Sequence, residues 1–256
     1  MELVIEDLSK SFGEKQVLQN ISFTFSSGKI YGLLGRNGAG KTTFFNCLNG
    51  DIKQDSGKLY LLSSNQKRPI QPDDIGYVLS TPTVPAFLTG REFLKFFLDI
   101  NEANISNLKT VDEYFEEIAI NVADRDKLLK DYSHGMKNKM QMLINIIAQP
   151  NILLLDEPLT SLDVLVNMIV CPPVLLLDEP LTALDVVVAE EMKQLLRTLK
   201  QHSIIILSTH IMDLALNLCD EIVLLNHGLL EHLEFSDLNG EAFKERIISA
   251  LREGTE

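Results

Sequence analysis

The chain has 256 residues, 45% of them hydrophobic and 23% charged. That balance suits a globular protein that buries a core without disulfides or metals, and it excludes a disordered, collagen-like or coiled-coil chain. The formal net charge of −13 argues against a nucleic-acid partner, which needs a basic face.

Leu3-Val4-Ile5 and the alternating Ile21-Ser22-Phe23-Thr24-Phe25 read as strands, and Ser26-Ser27-Gly28-Lys29 as a turn. Ile30-Tyr31-Gly32-Leu33-Leu34 is a short apolar run, expected to be a strand buried on both faces. A glycine-rich loop comes next, then a helix from about Thr42 to Leu48 that Asn49-Gly50 closes. From about 85 to 149 the pattern turns helical, with Glu92 to Leu98, Val111 to Ile120, and Met136 to Gln149 stopped by Pro150. Strands return at Ile152 to Leu155, Val174 to Leu177 and Ile204 to Leu207, with a helix from Val188 to Gln201 before the last. Ile222 to Leu225 and Leu229 to Phe235, joined by Asn226-His227-Gly228, predict a hairpin. Glu241 to Arg252 predicts an amphipathic helix that packs Phe243, Ile247, Ile248 and Leu251 on the body.

Cys47, Cys171 and Cys219 show neither metal-ligand spacing nor a disulfide framework. The acidic N-terminal stretch carries no signal-peptide pattern, and no apolar run approaches the ~20 residues of a membrane span. A cytoplasmic location is therefore expected, with any membrane role left to a partner.

The segment 143–164 (LINIIAQPNILLLDEPLTSLDV) abuts 165–186 (LVNMIVCPPVLLLDEPLTALDV), an offset of 22 residues. Two copies are too few for a solenoid, so a tandem duplication inside one domain is the reading.

Gly35-Arg36-Asn37-Gly38-Ala39-Gly40-Lys41-Thr42 matches G-x-x-x-x-G-K-[ST], the P-loop, between a predicted strand and a helix. Its backbone N–H groups can cradle phosphate oxygens, with the helix dipole pointing at the same phosphates. Lys41 is expected on the β- and γ-phosphates of ATP and the Thr42 hydroxyl on Mg²⁺, with Thr43 beside it. Leu153-Leu154-Leu155-Asp156-Glu157 is a Walker B pattern: an apolar strand ends in one carboxylate for Mg²⁺, Asp156, and one to polarise the attacking water, Glu157.

With these in place the chain resembles the ABC ATPases over almost its whole length. Tyr132-Ser133-His134-Gly135-Met136 resembles the signature motif, which in that family binds the γ-phosphate of ATP held by the other subunit. Ser133 and Gly135 match it, while His134 and Met136 stand where glycine and glutamine are commonest, a variant familiar among exporters. Ser161-Leu162-Asp163 resembles the D-loop, His210 the switch histidine, and Phe12 the aromatic that stacks on adenine. Ile75 to Ser80 resembles the stretch leading to the Q-loop, but with Ser80 in place of glutamine.

The resemblance implies an α/β fold: a RecA-like P-loop NTPase core over 1–84 and 150–235, a helical signature subdomain over 85–149, and a C-terminal helix in 236–256. It implies an ATPase using ATP and Mg²⁺, working as a homo- or heterodimer, peripheral at the inner face of the cell membrane on a permease encoded as a separate chain. ABC proteins of translation or DNA repair are disfavoured by the single P-loop, the lack of coiled coils and the acidic charge. A cassette whose hydrolysis the duplication impairs stays open.

Which Walker B copy works is a split question. Ser133 to Asp156 is 23 residues and Asp178 to His210 is 32. The first copy stands at the family's distance from the signature stretch, and the second at the family's distance from the switch histidine. One block is therefore expected to be extruded. The first copy is favoured, because the helix from Met136 runs straight into it, whereas Val166 to Val170 is β-branched and ends in Cys171-Pro172-Pro173. The extruded block then lies between about Val164 and Asp185. The alternative gives the roles of Asp156, Glu157 and Asp163 to Asp178, Glu179 and Asp185.

Overall fold

β1 (Glu2–Phe12) and β2 (Lys15–Ser26) form a long hairpin, closed by a two-residue loop in which Gly13 takes φ 60°, the positive value such tight loops need. The computed structural model describes residues 1–64, 66–79, 81–102, 105, 108–156, 172–180, 186–233 and 244–249. The hairpin joins β4 (Ser56–Ser63) and β5 (Gln66–Pro69) in an antiparallel sheet of order β2-β1-β4-β5.

A second sheet of seven strands carries β3 (Ile30–Leu34), β6 (Ile75–Val78), β7 (Ile152–Asp156), β8 (Val174–Asp178), β9 (Ile204–Thr209), β10 (Glu221–Asn226) and β11 (Leu229–Leu233). Its order is β11-β10-β3-β9-β8-β7-β6, and every pair is parallel except β10 with β11. The interior strands are near-continuous apolar runs because both faces are covered. On one face Ile152, Leu154, Val174, Leu176, Ile204 and Ile206 meet α1 (Lys41–Leu48) and the antiparallel sheet. On the other, Leu153, Leu155, Leu175, Leu177, Ile205 and Leu207 share a core with α5 (His134–Ala148), α6 (Val186–Leu199) and α7 (Met212–Leu218).

The region between β6 and β7 holds α2 (Gly90–Asn101), α3 (Val111–Glu117), α4 (Val122–Arg125) and α5. Thr89 and Thr110 each start their helix with a capping box, completed by Glu92 and Glu113. Residues 244–249 are helical, with Ile247 buried and Lys244 Nζ 2.6 Å from Asp213 Oδ1 on α7.

The strand of the second copy, Val174–Asp178, is not extruded as expected. β8 falls inside the block assigned to it, yet both copies stand side by side in the sheet, Ile152 opposite Val174 through Asp156 opposite Asp178. Four apolar side chains of each strand are buried. Extruding either set would forfeit roughly 6–12 kcal/mol of transfer free energy. An added interior strand also creates no new sheet edge to protect.

One of the two edge strands is β6, and α5 covers it. Asn145 accepts from Tyr77 N at 2.9 Å and donates to Tyr77 O at 2.7 Å, while Gln141 Oε1 accepts from Leu79 N at 3.2 Å. These amides stand in for a missing neighbour strand. Gly76 permits the approach: a β-carbon there would lie 2.4 Å from Asn145 Oδ1.

Candidate active site

β3 delivers the chain into the loop 35–40 with no slack. At Gly35 a β-carbon would meet the Leu225 carbonyl at 2.7 Å. At Gly40, the N-cap of α1 with φ 105°, it would meet Val17 Cγ1 at 2.9 Å. The loop therefore wraps closely enough for Lys41 Nζ to fold back and donate to the Gly35 carbonyl at 2.8 Å. Burial lowers the Lys41 ammonium pKa from its ordinary 10.5, against the opposing pull of the Glu179 and Asp178 carboxylates.

A cleft of about 530 Å³ opens beside the loop. Phe12, Lys15, Val17, Arg36, Asn37, Gly38, Gly40, Lys41, Thr42, Thr43, Asp178 and Glu179 line it. Phe12 stands half exposed on its wall, with Lys10 Nζ 5.3 Å from its ring centroid. Ala39 lines a neighbouring cleft with Gln19 and His227, and Gly35 a third with His210.

Among the described residues, the carboxylates facing the P-loop come from the second copy. Asp178 Oδ2 lies 3.5 Å from Thr42 Oγ1. A hydroxyl and a carboxylate at this mouth are hard oxygen donors that fit Mg²⁺, which takes one or two protein ligands beside phosphate oxygens and water. The other Asp178 oxygen, Oδ1, accepts from the hydroxyl of Ser208 on β9. Burial is the main cause that raises the Asp178 pKa from its ordinary 3.8; the Ser208 hydrogen bond opposes it, and the charges of Asp156 and Glu179 add to it. The Glu179 carboxylate sits 3.0 and 3.1 Å from His210 Nδ1 and 3.9 Å from Lys41 Nζ.

Asp156 is in register with Asp178 but belongs to the next strand out, about 4.8 Å farther from β9 and the P-loop. It does not line the cleft. Of the two aspartates, Asp178 and not the expected Asp156 stands beside Thr42, and the physical reason is strand order: β8 pairs with β9 and β9 with β3, leaving β7 a further strand away. Glu157, Ser80, the D-loop stretch Ser161-Leu162-Asp163 and Asp185 lie outside the described residues.

Ser133 and Gly135 are not at this cleft. Ser133 caps α5, its Oγ accepting from Met136 N at 3.2 Å, and a β-carbon at Gly135 would meet nothing within 4 Å. Lys15 and Ser208 were not among the sequence candidates. The Phe12–Lys15 pairing beside the hairpin loop carries Lys15 to the cleft, and the parallel register of β8 with β9 carries Ser208 to Asp178, 30 residues away, which is not a local signal.

A P-loop opening a helix, carboxylates at the carboxyl end of a parallel strand two places away, and helices inserted before them define a P-loop nucleoside triphosphatase. Comparison with known proteins narrows this. The family model described as ABC transporter matches residues 18–160. An uncharacterized ABC transporter ATP-binding protein of Methanocaldococcus jannaschii is 32% identical over 261 residues, covering 96% of this chain and 87% of that one. The bacitracin transport ATP-binding protein of Bacillus licheniformis is 31% identical, covering 91% and 69%. Among solved structures, cbiO1 from Clostridium perfringens, part of an ABC transporter complex, superposes with a TM-score of 0.56 at 25% identity over 96% of this chain and 92% of that one. The chain belongs to the ABC transporter family, as an ATP-binding subunit. No helix among the described residues is long and apolar enough to cross a membrane.

Proposed function

We propose that the chain hydrolyses ATP with the second Walker B copy and so powers a permease on a separate chain. The observation that carries this is the pairing of Thr42 with Asp178, backed by Glu179 against His210. In this reading Phe12 stacks on the adenine, and the N–H groups of the P-loop with Lys41 hold the phosphates. Thr42 and Asp178 hold Mg²⁺, which would draw charge off the phosphate oxygens. Glu179 polarises the attacking water, and His210 orients Glu179 and senses the γ-phosphate. Ser133 and Gly135 act across a head-to-tail dimer, of this chain with itself or with a related subunit, on the nucleotide held by the partner. The assembly sits at the inner face of the cell membrane.

The test is steady-state hydrolysis by the full chain beside Glu179→Gln, Glu157→Gln, Asp178→Asn and Asp156→Asn. Loss of a water-polarising base costs about 10²-fold or more. The expected result is that loss with Glu179→Gln and Asp178→Asn only. Loss with the first-copy variants alone would refute the assignment.

A second reading, ATP binding with impaired hydrolysis, rests on β7. That strand stands between β8 and β6, which puts the edge strand clamped by α5 one strand farther from the P-loop. ATP binding without turnover in the complete transporter would favour it.

A further inference from the structure

Ser208 enters the motif reading only as part of the strand before His210, yet it touches both working carboxylate residues. It is fully buried on β9, opposite Asp178 in the parallel register. Its hydroxyl donates to Asp178 Oδ1 and accepts from Glu179 N at 3.2 Å. A serine hydroxyl has one donor hydrogen, and here it is spent on Asp178 while a lone pair serves Glu179.

These two bonds fix two things. With Oδ1 tied to β9, the other oxygen of Asp178 is the one turned to Thr42. Glu179 has φ 47°, a left-handed backbone that a residue with a β-carbon disfavours. Its N–H is held there by Ser208, and from that backbone its carboxylate reaches His210. Thr209, next in the strand, cannot substitute, because successive side chains of a strand point to opposite faces; its Oγ1 accepts from Ile211 N at 3.1 Å instead.

We propose that Ser208 is a positioning residue for hydrolysis, fixing which Asp178 oxygen faces the metal position and which way the Glu179 peptide turns. This rests on the reading that Asp178 and Glu179 are the working pair. Hydrogen bonds to charged groups are the strong ones, so losing this one should be felt by about tenfold or more.

The experiment uses the full chain with Ser208→Ala, Ser208→Cys and Ser208→Thr beside Asp178→Asn. ATP affinity is measured by calorimetry with and without Mg²⁺, together with turnover against Mg²⁺ concentration. Ser208→Ala should lose about tenfold of the affinity gained on adding Mg²⁺ and need about tenfold more Mg²⁺ for half-maximal turnover. Its Mg²⁺-free affinity should stay within about twofold. Ser208→Cys, similar in volume but a weak donor, should match it. Ser208→Thr should return both towards the unmutated chain. Ordinary Mg²⁺ dependence in Ser208→Ala or Ser208→Cys, beside its loss in Asp178→Asn, would overturn the role of Ser208 and leave the Walker B assignment standing. Equal loss of Mg²⁺-free affinity would make Ser208 merely structural and overturn the proposal. No effect from Asp178→Asn would sink the underlying assignment itself.

Discussion

Deleting residues 157–178 would join Asp156 directly to Glu179 and leave a single Walker B strand. β7 and β8 differ at one position, Ile152 against Val174. In the shortened chain Ile152 takes the place of Val174 opposite Ile204, with Leu153, Leu154 and Leu155 replacing identical leucines. Pro150 and Asn151 fall where Pro172 and Pro173 now accept from Ser203 Oγ at 2.6 Å and Ile204 N at 2.8 Å. Both acceptors are backbone carbonyls, so those bonds survive the exchange. The packing change at the new position is then one methylene, about 0.8 kcal/mol. For a chain of this size that exchange moves the thermal midpoint by only about 2–3 °C. The α5 helix would also move about 4.8 Å towards the P-loop. Asp156 should now be the essential carboxylate: Asp156→Asn abolishes turnover in the shortened chain and is silent in the full one. The assays are a thermal melt and ATP hydrolysis of the four proteins. A midpoint lowered by more than about 10 °C, or a shortened chain whose turnover ignores Asp156→Asn, would refute the reasoning.

Individual contacts give two further expected outcomes. Asn145→Leu strips the edge strand of the partners for Tyr77 N and O, and should cost about 2–3 kcal/mol, read as a lower urea midpoint at unchanged slope; an unchanged midpoint would show that water serves those groups equally well. The raised Asp178 pKa makes its carboxylate a stability penalty that is full above the folded pKa, relieved as pH falls through it, and gone below the unfolded value near 3.8. Asp178→Asn should therefore be more stable than the unmutated chain at neutral pH, with the gap closing by about pH 3.8 in a series of melts; a gap that widens in acid would contradict the cause given for the shift.

The P-loop, β3 and the helices α2, α3 and α5 were legible because each rests on local pattern: glycines at fixed offsets, a buried apolar run, amphipathic spacing; the four-residue α4 is too short to show one. The site was legible only in part. Two strings as alike as ILLLD and VLLLD cannot be ranked by propensity, and the helix-continuity argument for the first copy concerned only the chain before the strand. What decides which carboxylate meets Thr42 is the neighbour across the sheet, β9, which is 25 or more residues away in sequence from either strand's end. Ser208 was hidden for the same reason. β4 and β5 escaped the sequence reading because β5 is exposed throughout and β4 mixes exposed and half-buried positions, without a clean alternation.

The conflict between the two spacings dissolves once both strands are used. The helix before β7 and the crossover after β8 each keep the length they need, and the extra strand fills the gap between them. This is possible because of the size of the repeat. Adjacent parallel strands require a connection of roughly a dozen residues or more. The block supplies a five-residue strand and the 17 residues between Asp156 and Val174, so it brings its own crossover. A duplication of the strand alone would have lacked that connection, and extrusion would then have been the only outcome open to it.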